Sequence, residues 1–217
     1  MKRALCMVLL SGGAAGLAAG CGGAASLLED VPPELRTTRS VVPAVADRWP
    51  YADPGDVEAG RWAKYREGDR TFTLAVAARG PEGTWMEVVE DLGASARLVA
   101  ADGTVLKAWF QESDGPAREQ PLDQRAEPAA PKRTEASRET AEEKVKVGAR
   151  ELTVRVVRLR LEDLEGRLTR ETWAWHPDVP PLYAGGELGG LVRRETARGK
   201  VELLDFGSGA KPAVQRP

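Results

Sequence analysis

Residues 70–80 read Arg70-Thr71-Phe72-Thr73-Leu74-Ala75-Val76-Ala77-Ala78-Arg79-Gly80. Phe72, Leu74, Val76 and Ala78 fall on one phase of a period of two, with Thr71, Thr73, Ala75 and Ala77 on the other. That alternation predicts a strand with one face on a core. Upstream, Trp62, Lys64 and Arg66 alternate with Ala63 and Tyr65. Downstream, Gly80-Pro81-Glu82-Gly83 turns the chain into a second strand, Trp85-Met86-Glu87-Val88-Val89. Arg97 to Ala100 and Thr104 to Phe110 flank Asp102-Gly103, a pair suited to a tight hairpin. The expectation is an antiparallel meander of about five strands.

A second strand block starts near Val145. Leu152, Val154 and Val156 share one phase, and Val157, Leu159 and Leu161 the other, which predicts a bulge between 156 and 157. Glu165-Gly166 leads into Leu168 to Trp175. A loop from His176 to Gly190 follows, and Leu191 to Thr196 then pairs with Lys200 to Phe206 across Arg198-Gly199. About nine short strands without a convincing long helix predict an all-β antiparallel domain. The bulge and the aromatic residues favour a strongly curved sheet or half-barrel.

Between these blocks the composition changes. From Glu112 to Lys144, Leu122 is the only large apolar residue, and prolines and mixed charges fill the rest. Such a stretch buries too little surface to offset its ordering entropy. It is expected to be a long disordered loop, 112–144, with a transient helix at most. Residues 208–217 read as a polar tail.

The N-terminus reads as an address. Lys2 and Arg3 precede the apolar run Ala4 to Leu10, small residues follow, and Leu17-Ala18-Ala19-Gly20 leads to Cys21. That order is a secretory signal. The apolar run falls far short of the roughly 20 residues of a membrane-spanning helix. The segment before Cys21 resembles the lipobox of bacterial lipoproteins. The resemblance implies removal of residues 1–20, acylation of Cys21, and a lipid-anchored protein, outer-membrane and periplasm-facing since Gly22 follows. Ordinary secretion, with Cys21 a free thiol, is the alternative. Residues 21–57 then form a flexible tether and irregular segment, and 58–207 one β domain. Trp49 and Tyr51 are expected to bury against its edge.

The 217 residues are 42% apolar and 29% charged, with a net charge of −2. A basic nucleic-acid face is therefore not expected. Asn and Ile are absent and Arg outnumbers Lys, which a GC-rich genome explains, so the arginines carry no functional weight by themselves.

The inventory for catalysis is thin. His176 is the one histidine; it follows a strand and precedes Pro177, the setting of a turn residue. With no thiol left after acylation, a zinc site would have only carboxylates beside it. Gly185-Gly186-Glu187-Leu188-Gly189-Gly190 lacks the strand, Lys-Ser/Thr and helix of a phosphate loop, and reads as flexible. Asp53-Pro54-Gly55-Asp56 reads as a turn. Glu87 shares a face with Trp85, a pairing found in carbohydrate sites, yet a solvated carboxylate is the simpler reading. No catalytic residue, metal or cofactor is expected.

The aromatics are the better candidates. Trp85, Trp173 and Trp175 lie on strands, and the last two project from one face. Lining the concave side of a curled sheet, they would suit an acyl chain or an apolar peptide. The run Thr172-Trp173-Ala174-Trp175, the loop Pro177-Asp178-Val179-Pro180-Pro181, and the strands Leu191 to Glu195 and Val201 to Gly207 resemble the end of the half-barrel superfamily of periplasmic lipoprotein carriers and their outer-membrane receptors. The resemblance covers about 145–207, and more loosely 60–110. It implies a curved sheet able to wrap lipid and assigns no residue a role. The expected function is a non-enzymatic envelope lipoprotein that binds an apolar ligand or an envelope protein. The alternatives are a scaffold recruiting a partner through the 112–144 loop and, less favoured, a hydrolase.

Overall fold

A computed structural model describes residues 45–46, 48–53, 55–113, 115–123, 133–184 and 189–215. Cys21 and the lipobox lie outside the described residues, as does Gly185 to Leu188. Among the described residues there is no helix.

The described residues form thirteen strands: β1 (Val45–Ala46), β2 (Trp62–Glu67), β3 (Arg70–Gly80), β4 (Gly83–Glu90), β5 (Gly93–Val99), β6 (Val105–Glu112), β7 (Arg118–Glu119), β8 (Leu122–Asp123), β9 (Arg133–Val147), β10 (Arg150–Asp163), β11 (Leu168–His176), β12 (Gly190–Thr196) and β13 (Gly199–Gly207). Eleven of them build one antiparallel sheet in the order β7-β6-β5-β4-β3-β2-β13-β12-β11-β10-β9, which does not close; β1 and β8 pair separately in parallel. Each half is a meander of sequence neighbours. The halves join where β13 lies against β2, from Val201 opposite Glu67 to Gly207 opposite Trp62.

The alternation of β3 holds from Phe72 to Val76; the register then shifts, so Ala78, expected on the same face, lies opposite Trp85 on the other one and is only half-buried. Phe72, Leu74 and Val76 are buried in the main core, with Tyr65 of β2, Met86 of β4, Leu203 of β13 and Val154 and Val156 of β10. Connections contribute to the same core. Trp49, from the segment before β2, and Val179, Leu182 and Tyr183, from the loop after β11, are all buried. Tyr183 lies 5.1 Å from Tyr65, and Tyr51 stacks on Phe72 at 6.1 Å, ring centroid to centroid. The irregular segment and the Pro-rich loop thus act as plugs. Tyr65 donates to the Leu191 carbonyl at 3.3 Å, and its burial raises the phenol's pKa well above 10.

Three expectations are corrected. The stretch 112–144 is not a disordered loop in its described parts: it holds β7, β8 and most of β9, a 15-residue strand. The order of β9 comes from β10, which pairs with it from Arg150 opposite Val147 to Asp163 opposite Arg133. Main-chain hydrogen bonds hold this strand where an apolar face is missing. No bulge falls between Val156 and Val157. The register of β10 is continuous there and shifts at Arg160/Leu161 instead. Both phases of β10 are apolar because Val156 and Val157 are each buried, on opposite faces. The C-terminal tail, finally, is docked, with Val214 2% exposed.

Register shifts also occur at Val76/Ala78, Leu98/Val99, Ala174/Trp175 and Leu203/Asp205. Gly148, in the two-residue turn between β9 and β10, has φ +57°. A Cβ built there would sit 3.5 Å from the Leu204 carbonyl oxygen and 3.6 Å from Asp205 Oδ1. This turn therefore lies against β13, three strands away in the sheet.

Candidate functional site

Trp173 and Trp175 project together as the period of two requires, and their rings stack at 5.5 Å with 6° between planes. Trp173 sits opposite Val157 of β10 and Arg194 of β12. The Arg194 guanidinium lies 5.6 Å from the Trp173 ring and 5.3 Å from that of Tyr183, within the range of cation–π attraction. Arg194 also reaches Glu67 Oε1 at 3.5 Å. Trp173 Nε1 donates to Glu171 Oε2 at 3.1 Å, and Glu171 Oε1 accepts from Arg133 at 2.9 Å. A cleft of about 300 Å³ opens beside these groups, lined also by Thr169, Thr196 and Arg198. With three arginines against one carboxylate and one indole, its lining is more cationic than an acyl-chain groove.

Trp85 does not join them. It packs with Val89, Trp109, Ala94, Ala96 and Val214 in a separate apolar cluster. Glu87, on the same phase of β4, is 1% exposed, so the reading of a solvated carboxylate is overturned. The physical cause is the tail. Ala213 N donates to Glu87 Oε2 at 2.8 Å and Val214 N to Oε1 at 3.3 Å, while Gln215 N donates to Gln111 Oε1 at 2.8 Å. The carboxylate is buried because it satisfies backbone donors that would otherwise be buried alone. No sequence signal marked this latch, since one valine in a polar tail shows no periodicity.

The remaining candidates occupy turns. His176 Nδ1 accepts from Asp178 N at 3.1 Å. Asp53 Oδ1 accepts from Gly55 N at 2.9 Å. Gly189, at φ +92°, and Gly190 are tight packing positions, contrary to the flexibility expected of them. Added Cβ atoms would lie 2.3 Å from the His176 carbonyl oxygen and 2.4 Å from that of Pro180. These glycines let β12 start flush against the plug formed by Val179 to Tyr183.

The surface that sequence reasoning missed is β9. Arg133 to Thr140 are all exposed; from Ala141 onward alternate residues are covered, partly at Ala141, Glu143 and Val145 and fully at Val147. β10 is its one neighbour in the sheet, so its outer edge carries a row of main-chain donors and acceptors with no strand against it among the described residues. Ion pairs set its inner side: Glu143 pairs with Arg158 and with Arg193 at 3.1 Å, and Lys144 with Glu151 at 3.0 Å. At the other end of the sheet, β7 has only two residues. The two edges are thus unequal, one short and one long. No family model, curated protein or solved structure matches this chain.

Proposed function

We propose that this chain is a non-enzymatic bacterial envelope lipoprotein, anchored through an acylated Cys21 and periplasm-facing at the outer membrane, that works by docking another envelope protein along β9. The observation that carries the docking reading is the 15-residue β9 edge. A long unpaired edge is a template for strand addition, and monomeric proteins ordinarily shorten or cover such edges. The mixed charges along β9 keep it from indiscriminate pairing while leaving its backbone available.

The open sheet is read here as a strongly curved half-barrel. Five register shifts and the approach of the Gly148 turn to β13 support that curvature. The rings of Trp49, Tyr51 and Tyr183 and the side chain of Leu182 pack against the core. A plugged core favours a contact module over a carrier of acyl chains. Anchoring rests on the lipobox residues Leu17 to Cys21.

Incorporating a photo-crosslinker at Thr140 in cells should give a discrete protein adduct, and one at Glu82, in the β3–β4 turn, should not. Equal labelling at both positions, or none at Thr140, contradicts the docking reading. Mass spectrometry of the native N-terminus tests the anchor separately: an acylated Cys21 is expected, and an unmodified N-terminus contradicts it.

A second reading, that an amphiphile binds here, is favoured by the stacked Trp173–Trp175 pair beside the cationic cleft. A fatty acid should then quench tryptophan fluorescence, and Trp173→Leu should abolish the change. No change at saturating fatty acid removes this reading.

A further inference from the structure

We infer that the strand β9 receives is β9 of a second copy of this chain, antiparallel, with the two-fold axis at Thr140. This rests on the reading of β9 as a docking edge and names its occupant. Gly148 and Ala149 form a two-residue connection, with Val147 opposite Arg150. In such a hairpin the flanking residues exchange both main-chain hydrogen bonds. Val147 therefore points its N–H and C=O at β10, as do Val145, Glu143, Ala141 and Glu139. Arg138, Thr140, Glu142, Lys144 and Lys146 point theirs outward.

Antiparallel self-pairing places outward residues opposite outward residues, so the axis passes through one residue position. The sequence Arg138-Glu139-Thr140-Ala141-Glu142-Glu143-Lys144-Val145-Lys146 then decides among positions 138 to 146. Like charges directly opposite are destabilising. Axes at Arg138, Glu139, Glu142, Glu143, Lys144 or Lys146 put a charge against itself. An axis at Ala141 opposes Glu139 to Glu143 and Arg138 to Lys144, and one at Val145 opposes Lys144 to Lys146. Within 138–146, the stretch on the turn side of the register shift opposite Ser137 and Glu135, Thr140 alone avoids every such clash. It sets Thr140 against Thr140 and Glu139 against Ala141, and forms Arg138–Glu142 pairs twice by symmetry. Glu142 has no ion pair among the described residues and is free for this role. Among the described residues Arg138 pairs with the exposed Glu135, at 2.8 Å.

The test uses the full chain, purified in mild detergent. Sedimentation equilibrium should show a monomer–dimer equilibrium. Arg138→Glu, which turns both pairs repulsive, should raise the dimer Kd at least about tenfold, the ~1.4 kcal/mol expected of two cross-strand charge pairs reversed. The double variant Arg138→Glu/Glu142→Arg should restore it. Under mild oxidation Thr140→Cys should cross-link to itself and Lys144→Cys should not; the unsubstituted chain reports any link made elsewhere. A wild-type chain that stays monomeric, or cross-linking stronger at 144 than at 140, overturns the proposal. A monomer that still gives a heterologous adduct at Thr140 in cells overturns self-pairing alone and leaves the docking edge standing. The absence of any adduct at Thr140 removes both.

Discussion

The β3–β4 and β9–β10 hairpins are the same two-strand unit with opposite means of support. β3 and β4 are covered on both sides: Phe72, Leu74, Met86 and Val88 lie in the main core, while Ala75 and Glu87, directly opposite each other, lie on the other face. Both strands also have a neighbour on their outer edges. β9 has one neighbour, and most of its side chains are in solvent. The comparison separates two sources of order. In the first hairpin side-chain burial fixes the strands and the ladder follows; in the second the ladder, the turn and ion pairs with β10 and β12 fix a strand that buries little beyond Val145 and Val147 next to the turn.

Substitutions can break this contrast. Leu74→Ala should have the largest effect, about 2–5 kcal/mol of global stability by chemical denaturation, because it empties a fully buried site. A loss under 1 kcal/mol would mean that the first hairpin is not held by its core. Glu87→Ala should cost about 1–3 kcal/mol by leaving the Ala213 and Val214 amides buried without an acceptor. Hydrogen exchange at residues 213–215 should accelerate in that variant, whereas Glu87→Gln, which keeps one acceptor oxygen, should lose less.

Gly148→Val acts on the second hairpin and on the part of β13 its turn touches, away from β3 and β4. A β-branched residue at φ +57° costs about 1–2 kcal/mol, and the loss should show as faster exchange in 133–163 with 70–90 unchanged. Equal acceleration in both hairpins would contradict their independence.

The smallest effect at neutral pH belongs to Tyr65→Phe, about 1 kcal/mol for its hydrogen bond. Its consequence grows with alkali. Burial raises the folded phenol above the ordinary value of 10.0, so its contribution is complete below pH 10. Above that pH the unfolded chain loses the phenolic proton and the folded chain keeps it, so stability falls as pH rises. Tyr65→Phe should flatten the stability profile above pH 10. An unchanged slope would remove the buried phenol as its cause.

What was legible in the sequence follows the same division. The strands of the first half could be read because Phe72, Leu74 and Val76 repeat their burial every second residue. Trp173 and Trp175 could be placed on one face for the same reason. β9 could not, since Arg133 to Lys146 is rich in Glu, Lys, Arg and Ala, residues that favour helix intrinsically and carry no apolar stripe. Tertiary pairing with β10 overrides that preference, and no local pattern announces it. Glu87 was misread because a carboxylate on a strand looks solvated until the distant Ala213-Val214 segment is known to cover it. The plug residues Val179, Leu182 and Tyr183 sit among prolines, where periodicity is lost.

The central claim is that β9 is an ordered strand with one free edge, and amide hydrogen exchange along 137–147 tests it most directly. The account predicts an alternation at low protein concentration. The amides of Glu139, Ala141, Glu143 and Val145, which face β10, should be protected, and those of Arg138, Thr140, Glu142 and Lys144 should exchange fast until the concentration is raised. Uniformly fast exchange through the whole segment would contradict it.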